Sequence, residues 1–152
     1  MQVLPPSNKT FTTKAKDRYH NVTVQYWELL DRHLTDLVEG RIDQMYELQE
    51  IAKILCISSK HLIKIVKETT GQHPCHFFVE KILDKARYLL VNTGHPISDI
   101  AIRLTYDPSN FTKFFKRHVG ITPTQYRHGI KAKSSPLSSL NHSDLYRHNP
   151  KK

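Results

Sequence analysis

Apolar residues recur at spacings of three and four along most of the chain, the signature of amphipathic helices. Trp27, Leu30, Leu34, Leu37 and Val38 fall on one face of a helix over about 23–38. Ile51, Ala52 and Leu55 mark a short second helix, and Leu62, Ile65 and Val66 a third. Phe78, Ile82, Ala86, Leu89 and Leu90 mark a long fourth helix over about 75–92. A further pair follows, and a short seventh turn opens at Thr122-Pro123. All five glycines lie just past an apolar stretch, and Pro74, Pro96, Pro108 and Pro123 lie at or near the start of one. This is the usual asymmetry of helix ends. No run alternates with period two between turn residues, so the pattern predicts an all-α chain of about seven helices.

Two stretches repeat. Residues 50–71 (EIAKILCISSKHLIKIVKETTG) align without a gap on residues 99–120 (DIAIRLTYDPSNFTKFFKRHVG). Ile51/Ile100, Ala52/Ala101, Leu55/Leu104, Lys64/Lys113, Lys67/Lys116 and Gly71/Gly120 are identical pairs. The few residues between the apolar faces of each copy leave room only for a tight helix-helix turn. Ser58 and Asp107 are placed to cap the second helix of each copy, with Pro108 in the first turn. Gly71 and Gly120 stop those helices. The small Ala52 and Ala101 allow a close crossing. Each copy therefore reads as a helix-turn-helix, and two tandem units are joined by a long linker helix. Roughly 17 linker residues at 1.5 Å span about 25 Å. Two reading heads so joined would suit one DNA turn, about 34 Å, without dimerising.

The ends differ from the middle. Residues 1–20 are expected to be a flexible segment and residues 131–152 a disordered polar tail. The folded part is 21–130, divided into a first half (21–73), the linker helix (74–93) and a second half (94–130). Most of the net charge of +9 lies in the middle of the chain: residues 41–133 carry +7, residues 1–40 none and residues 134–152 +2. A basic helical middle points to a polyanion such as nucleic acid. If Leu62, Ile65 and Val66 face inward, then Ser59, Lys60, His61, Ile63, Lys64 and Lys67 face outward. If Phe111, Phe114 and Phe115 face inward, then Ser109, Asn110, Thr112, Lys113 and Lys116 face outward. These types suit a major groove. Lys64 and Lys113 can bond guanine acceptors, Asn110 can read adenine, and Ile63 and Thr112 can touch a thymine methyl. Lys67 and Lys116 suit phosphates, which position without specifying.

Other chemistries fit less well. His73 and His76 flank Cys75, but no HExxH or paired CxxC is present, so no metal or other cofactor is expected. Cys56 reads as a small buried hydrophobe, and the two cysteines as free thiols of a reducing cytoplasm. No Gly-rich phosphate loop, GxSxG or close carboxylate pair appears, so no enzyme is predicted. No apolar run approaches a membrane span of about 20 residues, and the N-terminus lacks a signal-peptide core. The rival function is a protein-interaction adaptor, or a nonspecific DNA-binding protein, tethered to the transcription machinery.

Residues 48–127 resemble the DNA-binding domain of the AraC/XylS family of bacterial transcription regulators. The matching pieces are LQEIAKILCISSKHLIKIVKETTG, KARYLL, ISDIAIRL, DPSNFTKFFKRHVG and ITPTQYR, with Gly120-Ile121-Thr122-Pro123 and Tyr126-Arg127 the most specific. The resemblance implies a sequence-specific, double-stranded DNA-binding regulator of the bacterial cytoplasm, nucleoid-associated, whose third and sixth helices read two adjacent major grooves. A monomer would suffice, and RNA polymerase or another regulator is a further expected partner. Three positions depart from the family. Cys56 and Thr105 stand where glycine is frequent or usual, and Ile82 where many members carry arginine. Thr105 would resist a positive φ, so its turn is expected to differ or to carry strain. The short stretch before residue 41 leaves no room for a sensor domain, so no small-molecule effector is expected.

Overall fold

The repeat folds as two helix-turn-helix units. A computed structural model describes residues 8–132, and holds helices α1 (Asn8–Val38), α2 (Leu48–Ile54), α3 (Ser59–Thr70), α4 (Pro74–Asn92), α5 (Ile97–Arg103), α6 (Pro108–Val119) and α7 (Pro123–Ala132). No strand occurs among the described residues. Of the polar tail expected over 131–152, Lys131 and Ala132 belong to the last turn of α7, and the rest lies outside the described residues.

Two expectations are corrected. Helix α1 begins at Asn8, not near Thr23, so much of the stretch expected to be flexible is helical. Ala15, Tyr19, Val22 and Tyr26 keep a three-four spacing that extends the apolar face backwards. The expected short seventh turn is a ten-residue helix. Its start carries a reciprocal box: the Gln125 N–H donates to the Thr122 hydroxyl oxygen (3.1 Å), and the Thr122 N–H donates to the Gln125 side-chain carbonyl (2.9 Å).

The chain divides into two units. The first comprises residues 8–35 and 46–81. Its core is Tyr26, Leu30, Ile51, Ala52, Leu62 and Val66, with Trp27, Leu55, Ile57 and Phe78 half-buried against it. Tyr26, not Trp27, is the fully buried aromatic ring of this helix. Its hydroxyl donates to the Pro74 carbonyl (2.7 Å), and burial pushes its pKa up. Buried His33 stacks on Tyr46 at 4.1 Å, and its Nε2 accepts from the Tyr46 N–H (2.9 Å).

The second unit comprises residues 36–45 and 82–132. Ile82, Ala86, Leu90, Ile100, Ala101, Leu104, Phe111 and Phe115 are buried in it. Phe115 meets Tyr126 edge-on at 5.5 Å, tying α6 to α7. Arg127 donates through Nε to the Leu90 carbonyl (2.9 Å) and through Nη2 to the His95 carbonyl (2.7 Å), which fixes the connection after α4. The Tyr126-Arg127 pair thus works inside the fold. Ile82, where many family members carry arginine, is a buried apolar residue.

The two tight turns use one bonding scheme. In the first, the Cys56 N–H donates to the Lys53 carbonyl and the Ile57 N–H to the Ala52 carbonyl (both 3.0 Å). In the second, Thr105 donates to Ile102 and Tyr106 to Ala101 (both 2.9 Å). These are paired Schellman bonds, which require a left-handed residue after the helix. Cys56 and Thr105 supply it at φ 59° and 63°. The second turn therefore repeats the form of the first and carries the strain of a β-branched residue there. The sequence expected Cys56 to be buried; its thiol is instead exposed.

Thr105→Gly should stabilise the second unit. A left-handed residue with a side chain costs about 1–2 kcal/mol, and glycine returns about 0.5–1 kcal/mol of that as chain entropy. Thr105 is exposed, so little packing is lost. A rise in melting temperature of about 2–4 °C is expected. A fall on thermal denaturation would contradict the strain.

Candidate nucleic-acid interface

Each candidate reading helix begins and ends under local control. At α3, the Ser58 hydroxyl oxygen accepts from the His61 N–H (3.1 Å). At α6, the Asp107 carboxylate accepts from the N–H groups of Ser109 (3.1 Å) and Asn110 (3.3 Å) and from the Ser109 hydroxyl. Gly71 and Gly120 close the two helices at φ 79° and 92°. Leu62, Ile65 and Val66, and Phe111 and Phe115, are buried as the spacing requires. Phe114 is half-buried rather than enclosed; it stacks on Tyr106 at 4.9 Å.

The outward faces follow from that burial. Lys60, His61, Lys64 and Lys67 are exposed on α3, with Ser59 and Ile63 half-buried. Ser109, Asn110, Lys113 and Lys116 are exposed on α6, with Thr112 half-buried and its hydroxyl donating to the Pro108 carbonyl (3.1 Å). The Ser109 hydroxyl is committed to the Asp107 cap. Glu68 is the acid within α3, 3.9 Å from the Lys64 ammonium, an exposed pair of little strength. No acid lies within α6, and Arg117 adds an exposed cation to its last turn. Sequence comparison of the repeats passed over Arg117 because its partner position holds Glu68. Its helical phase, one turn past Lys113, places it on that lysine's face.

The Asp107 cap gives α6 an acid-sensitive start. Hydrogen bonds from Ser109 and Asn110, and the charge of Lys113, hold this carboxyl below its ordinary range. A carboxyl whose folded pKa is depressed contributes fully above its unfolded value and loses that contribution as pH falls through the folded one. The melting temperature should therefore fall below about pH 4 more steeply for the wild type than for Asp107→Asn, which caps without a charge. Identical pH profiles of the two proteins would count against the cap. At the other end, burial and the nearby Arg117 charge lower the pKa of His118, whose ring lies 4.9 Å from that of Phe114.

Among the described residues, no helix is long and apolar enough to cross a membrane. Nor does any group of three or more His, Cys, Asp or Glu there form a possible metal site.

These features agree with known proteins. A family model described as a helix-turn-helix domain matches residues 51–129. The lactose operon transcription activator of Staphylococcus xylosus is 31% identical over 98 residues, 64% of this chain and 35% of that protein. The HTH-type transcriptional activator RhaR of Enterobacter sp. (strain 638) is 32% identical over 101 residues, 66% of this chain and 36% of that protein. The chain thus spans about a third of the length of these curated relatives. In fold, it is similar to the C-terminal domain of AraT, a response regulator from Geobacillus stearothermophilus. The TM-score is 0.63 at 24% identity, covering 80% of this chain and 95% of that one. The chain belongs to the AraC/XylS family of helix-turn-helix transcription regulators, through the family's DNA-binding domain.

Proposed function

We propose that this chain is a sequence-specific regulator of transcription that reads double-stranded DNA with α3 and α6, one helix from each unit, in two successive major grooves. The observation that carries the reading is the duplicated, capped helix with an outward face of lysine and small polar residues. Lys64 and Lys113 occupy equivalent positions in the two copies, as do Lys67 and Lys116. An α-helix fits the major groove, where lysine and asparagine find acceptors and donors on base edges. In this reading Lys64, Lys113 and Asn110 contact bases, helped by Ile63 and Thr112, while Lys67 and Lys116 hold phosphates. Ser59, Lys60, His61 and Ser109 line the entry of each helix.

Two reading helices in one chain make a monomer sufficient. The two curated relatives described above are named as transcription activators, which supports a regulatory role at promoters, with RNA polymerase or another regulator as protein partner. The site of action would be the nucleoid. No catalytic step is part of this reading.

Selection from random duplex DNA with the purified chain tests it, at about 0.15 M salt so that nonspecific phosphate binding is reduced. Enrichment of a two-part, non-palindromic motif with blocks about 10 base pairs apart is the expected result. A folded protein that enriches nothing would move the adaptor reading to the front.

A further inference from the structure

The early turns of α1 lie beside the first turn of α3. Tyr19 meets His61 edge-on, with ring centroids 6.0 Å apart. Lys14, Ala15, Arg18, Tyr19 and His61 line a cleft of about 380 Å³ within the first unit. Lys14 and Arg18 are one helical turn apart and share a face. Both are exposed, and neither is paired with a carboxylate among the described residues. No acid lines the cleft. His61 sits on the flank of α3, next to the face that carries Lys60 and Lys64. The cleft therefore continues the cationic face of α3 sideways, through a part of α1 that precedes the matched family region.

We propose that Lys14 and Arg18 form a phosphate clamp for the backbone of the same duplex that α3 reads, with His61 at its edge. The proposal rests on the DNA reading above and adds a contact outside both helix-turn-helix units. The chemistry suits a phosphodiester. A guanidinium offers two parallel donors to phosphate oxygens, and an ammonium adds a point charge. Ala15 and Tyr19 line the same cleft, and the Tyr19 ring meets His61 of α3. A contact of this kind adds affinity and fixes orientation without sequence choice.

The test compares three variants with the wild type on the duplex recovered by selection, by fluorescence anisotropy across a potassium chloride series. Lys14→Ala with Arg18→Ala should weaken binding about tenfold at roughly 0.15 M salt. It should reduce the slope of log affinity against log salt by about two, near one per phosphate contact. The rank order of binding to duplexes with single base changes should not move. Arg18→Lys should keep the salt slope, since the charge remains, but lose part of the affinity with the paired donors. Lys16→Ala removes one cation from a position about 200° round α1 from Lys14 and Arg18, outside the cleft lining. Its effect should stay within twofold. Wild-type affinity and slope in the double variant would overturn the clamp, as would an effect of Lys16→Ala equal to half the double variant's. If the wild type itself shows no preference for the selected duplex, the DNA reading and the clamp fall together. A double variant that keeps the preference together with wild-type affinity and salt slope sinks the clamp alone.

Discussion

Lys113→Glu should weaken binding to the selected duplex about a hundredfold or more. Lys113 is exposed near the middle of α6, on the face opposite the buried Phe111 and Phe115. A base contact of this kind contributes about 1–3 kcal/mol of discrimination. Reversing the charge also sets a carboxylate against phosphates and base acceptors. The loss therefore exceeds that of a truncation. Lys113→Ala should cost less and relax choice at one base pair, while Lys67→Ala should weaken all sequences alike and lower the salt slope by about one. The substitution leaves the core untouched, but it removes a charge that helps keep the Asp107 cap ionised. A far-UV circular dichroism melt at neutral pH separates the two effects, and should match the wild type. Undiminished binding by Lys113→Glu would mean that α6 does not enter a groove.

Phe115→Ala should cost about 3–5 kcal/mol, a large share of the roughly 5–15 kcal/mol that holds a domain folded. Phe115 is fully buried and touches the rings of Phe111 (6.0 Å) and Tyr126 (5.5 Å). Its removal leaves a cavity between α6 and α7, which rigid neighbours fill only in part. Phe114→Ala should cost much less, because that ring is half-buried and keeps one side open. Denaturant melts of the two variants check this directly. Equal losses would show that Phe114 is as enclosed as its neighbour.

That contrast marks how far the sequence carries the fold. Periodicity placed Phe111, Phe114 and Phe115 inward together, because a helical wheel separates faces but not depths. Caps were the most readable feature. Ser58, Asp107, Gly71 and Gly120 act through their own neighbouring backbone, so their roles follow from local order alone. The early part of α1 was hidden for the opposite reason. Its Ala15 and Tyr19 are too sparse among lysines and threonines to announce a helix, and the Tyr19 contact with His61 joins residues far apart in the chain. The cleft they form was unreadable for the same reason. Exposure of Lys60, Lys64, Lys67, Lys113 and Lys116 follows from the phase of the apolar residues. In the proposed reading, which bases those side chains choose depends on the duplex.

Neither Cys56 nor Thr105 points to a base in the proposed reading, yet each sets the angle of the helix that does. Both hold a backbone form that glycine would adopt with less strain. In the proposed reading, thermal resistance and operator preference are therefore governed by separate positions. A lineage could drift to glycine at either turn and harden the protein while its targets stay the same. It could equally exchange lysines on α3 and α6 and acquire new targets at constant stability.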